Sequence, residues 1–359
     1  MEIRLPWGSD FVSINLPDGW RVHIPERTNI SGSSDTRETE IAEKALKNPL
    51  ETGPLSSMKL SGRNILIIVD DNTRPTPAHR FFHLITDELE KGGADPEKIH
   101  VMAALGIHTP MSQAEMARKI GPENINRLTW SSHDAFDDSL HHDFGITSRG
   151  TPVVLNRKVA ESDLLILAGM IEPHLWAGFG GGLKNLFPGV ASAAAIGKHH
   201  GMIAEPPYLF NRVGMMPEEN TFRKDLEETR TLVNKDFFAI NVLLDEKGAI
   251  AAAYAGDPVA AHRKGVEFNR KTAGVKLERP ADAVIVNSHP MDINFKQSMK
   301  CVGNSLPAVK PGGTVMAFMK AERGLDDIPM PEDSKPLWLV KTILRLLGPA
   351  RVLGFLEKV

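Results

Sequence analysis

The sequence predicts an α/β protein made of two α/β domains with largely parallel sheets. Two short apolar runs, at residues 64–69 and 163–169, have the continuous hydrophobic character of strands that are buried on both faces, as in parallel sheets. Residues 78–91 follow the first run and carry apolar side chains at helical spacing. Strands that alternate with helices in this way are typical of βαβ units.

The length of 359 residues indicates two domains, because each part is long enough to form a core of its own. We place an N-terminal domain at residues 1–274 and a short C-terminal domain at residues 281–359, with the boundary in the segment GVKLERP at 274–280. Hydrophobic residues make up 42% and charged residues 24%, which is the composition of an ordinary globular protein.

Charge and cysteine content exclude several classes of protein. The net charge is −3 and no basic run stands out, so neither nucleic acid nor a membrane surface is an expected partner. Cys301 is the only cysteine, which excludes an intramolecular disulfide framework and a cysteine-rich metal cluster. The N-terminus has no signal-peptide pattern and no apolar run reaches the roughly 18 residues of a membrane span. We therefore expect a cytoplasmic protein.

The remaining elements can be predicted in chain order. A β-hairpin is expected at residues 11–25 around the Asp-Gly pair at 18–19, which is a strong turn signal. A helix is predicted at residues 38–47, and Ser112 with Glu115 forms a capping box that starts another. Further strands are predicted at residues 99–105, 127–130, 152–155, 281–287 and 313–319, a hairpin at 237–255, and helices at 258–273 and 336–347.

Polar side chains follow three of the predicted strands at the point where each strand ends. Asp71 and Arg74 follow the run at 64–69, His108 follows the strand at 99–105, and His174 follows the run at 163–169. Because ligands bind at the carboxyl ends of strands in open α/β sheets, we expect these side chains to line one site.

The third of these loops is the longest and richest in functional side chains. It contains glycines at 178, 180, 181 and 182, then Lys184, and ends with His199 and His200. The glycines permit either a close approach of backbone to a ligand or a tight turn with close packing. They do not form a nucleotide phosphate loop, because Leu183 and Asn185 flank Lys184 where that pattern requires Gly and Ser or Thr.

Taken together, these motifs resemble the lactate racemase family that uses a nickel-pincer nucleotide. The matching segments are DNTRPTP at 71–77, GIHTPMSQAEM at 106–116, TSRGTPV at 147–153, IEPHLWAGFGGGLKNLFPGVAS at 171–192, His200, and DINFKQSMK at 292–300. The resemblance extends over most of the chain in the family's order. It implies a two-domain fold with the active site in the cleft between the domains.

The resemblance also implies a cofactor, which is nickel held by a pyridinium-3,5-bisthiocarboxylate mononucleotide. Lys184 occupies the position of covalent attachment, and His200 occupies that of the imidazole that ligates nickel. Enzymes that synthesise the cofactor are implied partners. The loop residues that match the family's nucleotide contacts are Asp71, Asn72, Thr73 and Arg74.

His108 and His174 match the family's two catalytic histidines, while Arg74, Gln297 and Lys300 match substrate contacts. The implied reaction inverts C2 of a 2-hydroxy acid by proton-coupled hydride transfer to the cofactor. Two bases are then needed, one for each enantiomer, and imidazoles with a pKa near 7 suit both directions. The cationic side chains suit a carboxylate, with arginine able to bind it in bidentate fashion.

The substrate is open between lactate and a larger 2-hydroxy acid such as malate. Lys296 stands where the family has an aromatic residue, and it either adds a positive charge to the site or points to solvent. The alternatives to a racemase are a nucleotide-dependent oxidoreductase of 2-hydroxy acids and a non-catalytic protein that binds small acids. The loop lacks the dinucleotide glycine spacing, and a binding protein needs neither two bases nor a tethering lysine.

Overall fold

The structure is a computed structural model that describes residues 1–24, 35–205, 209–245 and 247–325. The helix predicted at 336–347 lies outside the described residues. The α-helices are α1 Asp35–Lys47, α2 Phe82–Lys91, α3 Gln113–Ile120, α4 Pro122–Arg127, α5 Arg157–Glu161, α6 Ala193–Gly201, α7 Thr221–Val233, α8 Pro258–Ala273, α9 Phe295–Ser298 and α10 Lys300–Ser305. No helix among the described residues is long and apolar enough to cross a membrane.

The strands form one large sheet and several small ones. Their bounds are β1 Glu2–Trp7, β2 Asp10–Asn15, β3 Ile65–Asp70, β4 Ile99–Ala104, β5 Thr129–Ser132, β6 His141–Ile146, β7 Pro152–Asn156, β8 Leu164–Met170, β9 Pro173–His174, β10 Gly178–Phe179, β11 Asp236–Leu244, β12 Ile250–Gly256, β13 Ala281–Asn287 and β14 Val309–Phe318. The predicted α/β class with a largely parallel sheet is confirmed.

The central sheet has six strands in the order β12-β11-β8-β3-β4-β5, and only β12 is antiparallel to its neighbour. All six residues of β3 and all seven of β8 are buried. Their side chains alternate between two hydrophobic clusters, one on each face of the sheet. Burial on both faces explains why these strands have continuous apolar sequences instead of an alternating pattern.

The register of the sheet brings three loops to one place. Strand β3 lies between β4 and β8, with Asp70 opposite Ala104 and Val69 opposite Ala168. The three strands are parallel, so their carboxyl ends meet at one edge, and the loops that begin at Asp71, Leu105 and Ile171 leave from that edge. The predicted meeting of these strand ends is confirmed.

The C-terminal part of the described chain is built on a separate two-stranded parallel sheet, β13-β14. It contacts the rest of the chain through defined hydrogen bonds. Asn287 Nδ2 donates to the Pro6 carbonyl at 2.8 Å, and Arg323 Nη2 donates to Glu115 Oε1 at 2.8 Å. The division at 274–280 stays a prediction, although a separate sheet and a linking segment without helix or strand agree with it.

Two sequence predictions need correction. The hairpin expected at 11–25 is wrong. Strand β2 (Asp10–Asn15) pairs with the strand that precedes it, β1 (Glu2–Trp7), and Leu5 lies opposite Val12. The Asp-Gly pair at 18–19 does form a turn, but residues 20–24 are not in a strand. The strand predicted at 127–130 begins later, at Thr129, because residues 122–127 form the short helix α4 behind a proline start.

Candidate active site

The loop after β3 is shaped by its own side chains. Asp71 Oδ1 accepts hydrogen bonds from the Thr73 backbone at 3.2 Å and the Thr73 hydroxyl at 2.6 Å, which closes a tight turn. Asn72 Nδ2 donates to Glu115 Oε1 at 2.7 Å, which links the loop to the capping box of α3. Pro75 and Pro77 favour extended backbone at the residues that precede them, Arg74 and Thr76.

A buried lysine on α3 fixes this loop through hydrogen bonds. Lys119, on α3, donates to Asp70 Oδ1 at 2.9 Å and to the Arg74 carbonyl at 3.0 Å, and the Thr76 hydroxyl binds the other oxygen of Asp70 at 2.5 Å. Burial raises the pKa of Asp70, although the charge of Lys119 opposes this effect. The backbone of Arg74 is therefore fixed before any ligand arrives.

His108 is backed by the Asp71 carboxylate. Asp71 Oδ2 accepts a hydrogen bond from His108 Nδ1 at 2.6 Å, and the side chains are 4% and 18% exposed respectively. Burial would raise the pKa of Asp71, but the hydrogen bond and charge of His108, together with Arg74, hold that pKa well below its usual range. An ionised Asp71 keeps the proton of neutral His108 on Nδ1, which leaves Nε2 with a free lone pair.

His174 has the opposite arrangement. Its Nδ1 accepts hydrogen bonds from the backbone N–H groups of Trp176 and Ala177, both at 3.2 Å. Peptide N–H groups only donate, so the neutral ring carries its proton on Nε2. Burial, and then the charges of Lys184 and Lys300, hold the pKa of His174 well below its ordinary value. The free chain therefore contains two histidines in different tautomers.

The glycines of the third loop serve the packing of the chain on itself. Gly178, Gly181 and Gly182 have φ values of 73°, 76° and 60°, a region that favours glycine. A Cβ at Gly181 would lie 2.6 Å from the Met170 carbonyl oxygen, so protein atoms occupy that space. Arg223 donates to the Gly181 carbonyl at 3.1 Å. Of the two explanations open from the sequence, the tight turn with close packing is supported at these positions.

Lys184 lies in the short helical turn that follows those glycines. Burial lowers the pKa of Lys184 to about 7, and the nearby Arg74 guanidinium contributes in the same direction. A lysine with this pKa is substantially unprotonated at neutral pH, and the neutral amine is the nucleophilic form. The side chain is therefore suited to covalent attachment of an electrophilic group.

His200 lies at the C-terminal end of α6 with one ring nitrogen committed to the protein. Its Nδ1 donates to the Ile196 carbonyl at 2.8 Å, which leaves Nε2 free. Burial lowers the pKa of His200 to about 3, with His199 and Lys184 adding to the effect, so the ring is neutral. A neutral imidazole oriented through its other nitrogen is the usual form of a metal-binding histidine. His199 instead points Nε2 at the Phe222 carbonyl, 3.1 Å away.

The described residues contain no group of three or more His, Cys, Asp or Glu side chains arranged to hold a metal ion. A metal bound through His200 would need its further ligands from outside these side chains, for example from a bound cofactor. The donor set fits that requirement, because His200 offers one free nitrogen and Lys184 offers a reactive amine. Imidazole nitrogen is a ligand that suits nickel, among other transition metals.

The predicted substrate contacts meet across the two parts of the chain. Arg74 Nη1 donates to Thr73 Oγ1 at 2.9 Å and to Gln297 Oε1 at 3.2 Å. Lys300 Nζ is buried and has no hydrogen-bond partner among the described residues. Burial lowers the pKa of Lys300 to about 7, and the Arg74 charge lowers it further while the Glu172 carboxylate opposes both.

Glu172 is the site residue that the sequence predictions missed. Its Oε1 forms an ion pair with Arg74 Nε at 2.9 Å and lies 3.8 Å from Lys300 Nζ. The signal available in the sequence was an acidic residue two positions before His174, in a loop expected to face Arg74 and Lys300. Lys296, in contrast, is exposed to solvent, and its charge makes only the last-ranked contribution to the lowered pKa of His200.

Comparison with known proteins identifies the family of the chain. The family described as "Lactate racemase N-terminal domain" matches residues 7–208. A lactate racemase of Thermoanaerobacterium thermosaccharolyticum is 32% identical over 326 residues, which are 90% of this chain and 75% of that protein. A lactate racemase of Lactiplantibacillus plantarum is 33% identical over 289 residues, which are 80% of this chain and 67% of that protein.

Solved structures also include a lactate racemase that is similar to this chain. The lactate racemase apoprotein of T. thermosaccharolyticum superposes with a TM-score of 0.78 at 32% identity, over 88% of this chain and 74% of that one. A protein of Thermotoga maritima superposes with a TM-score of 0.58 at 19% identity, over 82% of this chain and 72% of that one, and shows a shared fold.

The chain is an α/β protein, and its racemase relatives indicate an enzyme of the isomerase class. The chain belongs to the lactate racemase family, as the family match and both relatives show. The resemblance seen in the sequence motifs is confirmed. Membership of a racemase family favours an isomerase over the oxidoreductase and the non-catalytic binding protein.

Proposed function

We propose that the protein inverts C2 of a 2-hydroxy acid, either lactate or a larger acid such as malate, with a nickel-pincer nucleotide as cofactor. The observation that carries this proposal is the presence of two differently held histidines, His108 and His174, together with the half-buried cations Arg74, Lys184 and Lys300, whose charges act on His174. Such a site can exchange a proton with a hydroxyl group while the cations bind a carboxylate.

In this proposal Lys184 carries the cofactor through its side-chain amine, and Nε2 of His200 ligates nickel. When bound, the nickel-pincer nucleotide would supply the hydride-accepting and hydride-donating chemistry that C2 inversion requires. Asp71 and Arg74 would contact the nucleotide from the loop after β3, with Asn72 and Thr73 fixing the shape of that loop through Glu115 and Asp71.

His108 would take the hydroxyl proton. Its Nε2 has a free lone pair, and the Asp71 carboxylate 2.6 Å behind Nδ1 stabilises the imidazolium that forms. Removal of that proton lets C2 lose hydride without the build-up of a carbanion beside a carboxylate. The product of this half-reaction is a planar 2-keto acid. Once it turns in the site, hydride can return to its other face, which gives the opposite enantiomer.

His174 would serve the other enantiomer. With the proton on Nε2, the free chain presents an N–H at this position, suited to hydrogen-bond the oxygen of the keto acid. It can accept a proton at Nε2 only after its own proton moves to Nδ1, which displaces the contacts with the Trp176 and Ala177 peptides. The free chain is therefore set first for the enantiomer whose hydroxyl faces His108.

The substrate carboxylate would bind Lys300 and Arg74, and Gln297 helps to hold the guanidinium in position. Lys300 is suited to this role because its ammonium is buried without a hydrogen-bond partner in the described chain. A buried ammonium whose hydrogen-bond donors are unsatisfied is costly, and an anionic ligand that accepts those hydrogen bonds reduces that cost. The keto acid can then turn about this anchor without leaving the site.

The direct test uses protein produced together with the cofactor-synthesis enzymes. The D and L enantiomers of lactate and of malate are each supplied, and the appearance of the opposite enantiomer is followed by chiral chromatography. The proposal expects conversion of at least one acid in both directions to a racemic mixture. Release of the keto acid without formation of the opposite enantiomer would instead support an oxidoreductase.

A further inference from the structure

Glu172 occupies a fixed position between the sheet edge and His174. It follows β8 by two residues, and its carbonyl accepts a hydrogen bond from Gly180 N at 2.7 Å. Its side chain is 13% exposed. The hydrogen bond fixes the backbone position of Glu172, and the low exposure of its side chain limits the conformations that the carboxylate can adopt.

The charges around Glu172 are predominantly positive. Arg74, Lys184 and Lys300 all act on one another in this part of the molecule. Asp71 is the other nearby carboxylate, but its oxygens are committed to His108 and Thr73. Glu172 is thus left as the counter-ion of the cations at the substrate-carboxylate site.

The geometry shows which contacts Glu172 uses. Its Oε1 lies 2.9 Å from Arg74 Nε, whereas the contacts with Thr73 and Gln297 are made by a different nitrogen, Nη1. The same oxygen lies 3.8 Å from Lys300 Nζ, which is close enough for a strong charge interaction and too far for a hydrogen bond. Lys300 therefore keeps its hydrogen-bonding capacity for a ligand.

We propose that Glu172 is a positioning residue that orients Arg74 and keeps Lys300 charged but unbonded, so that both cations are available to a substrate carboxylate. The identity of the ligand rests on the function proposed above, whereas the effect of Glu172 on the two cations does not. Glu172 itself contacts no reacting atom in this account.

The proposal predicts how the pKa values of Lys184 and Lys300 change when the Glu172 charge is removed. Burial and the neighbouring cations lower the pKa of Lys300 and of Lys184 to about 7, and the Glu172 carboxylate opposes that decrease in both. Loss of the Glu172 charge must lower both pKa values further. Lys300 binds a carboxylate as an ammonium, so this binding weakens as pH rises through its pKa, and the weakening must begin at a lower pH without Glu172.

The test is made first on the cofactor-free chain. The pKa values of Lys184 and Lys300 are measured by trace acetylation with acetic anhydride across pH, followed by mass spectrometry of the peptides. Glu172→Gln keeps the size and removes the charge, while Glu172→Asp keeps the charge. Glu267→Gln removes a carboxylate that pairs with exposed lysines on α8 and serves as the matched control.

We expect Glu172→Gln to lower the pKa of both lysines by about one unit, a typical size for perturbations in folded proteins. Glu172→Asp should give values between those of the wild type and Glu172→Gln, and Glu267→Gln should give wild-type values. An unchanged Lys300 pKa in Glu172→Gln would overturn the proposal. Circular dichroism spectra that match the wild type ensure that the comparison is made between folded proteins.

The loaded enzyme provides a second readout. In Glu172→Gln, KM for the 2-hydroxy acid should rise about tenfold at pH 7.5, with a smaller change in kcat, and the rise of KM with pH should begin about one unit lower. A lower KM would mean that Glu172 competes with the substrate and would also overturn the proposal. If the lysine pKa values move but the loaded wild type racemises no acid, the positioning role stands and the proposed function fails.

Discussion

The hydrogen bond between Asp71 and His108 offers the sharpest perturbation of the proposed chemistry. Asp71→Asn preserves the shape of the side chain and the acceptor for Thr73, but removes the charge 2.6 Å from His108 Nδ1. The amide can also present an N–H to that nitrogen, which moves the histidine proton to Nε2. His108 would then lose the lone pair with which it accepts the hydroxyl proton.

The size of the effect follows from two contributions. A hydrogen bond to a charged group contributes about 1.5–3 kcal/mol. Since about 1.4 kcal/mol is a factor of ten, its loss from the transition state lowers kcat roughly 10- to 100-fold. The wrong tautomer removes a general base, which contributes about 10²–10⁴-fold. Both effects act on the same proton transfer and do not multiply, so we expect kcat to fall between about 10² and 10⁴-fold, with little change in KM.

The assay is the initial rate of racemisation in both directions, with cofactor loading checked by nickel content. Asp236→Asn is the matched control, because Asp236 is an exposed carboxylate paired with Arg63 at the opposite end of the sheet strands. A kcat for Asp71→Asn within threefold of the wild type, at equal nickel content, would refute the view that Asp71 sets the tautomer of a catalytic His108.

Three further predictions concern attachment, ligation and the support of the loop. Lys184→Ala should abolish the cofactor mass adduct on the peptide that contains this residue, and an adduct that persists there would contradict the assignment of Lys184. His200→Ala should lower nickel retention, because it removes the free Nε2 that is proposed to bind the metal, and nickel that stays bound would mean that another residue is the ligand. Lys119→Met leaves the Asp70 carboxylate buried without its cation, so the free energy of unfolding should fall by about 3–5 kcal/mol in urea titrations. A loss below about 1 kcal/mol would show that Lys119 does not hold the loop.

Much of the fold was predictable because burial leaves a strong signal in the sequence. Strands β3 and β8 are buried on both faces and must be continuously apolar, so their position could be predicted within one residue. Helix α8, Pro258–Ala273, was predicted at its observed bounds because Asp257 caps it and a proline begins it. The N-terminal hairpin was predicted wrongly because the Asp-Gly turn signal is local, and pairing depends on which segment lies nearby.

The candidate site was predictable to the extent that topology determines it. Parallel strands bring their carboxyl ends together, so Asp71, His108 and His174 could be placed at one edge from the order of the elements alone. Which tautomer each histidine adopts could not be predicted, because this depends on individual contacts to Asp71 or to backbone N–H groups. The role of Glu172 was missed for the same reason, since a pairing between distant loops leaves no local pattern.

The fate of the hydrogen on C2 tests the central claim most directly. Lactate deuterated at C2 is incubated with the loaded enzyme in ordinary water, and the opposite enantiomer is isolated and analysed by mass spectrometry. The hydride mechanism predicts that deuterium stays on C2 throughout racemisation, together with a large isotope effect on the rate. Exchange of C2 deuterium with water at the rate of racemisation would instead mean direct proton abstraction and would contradict the account.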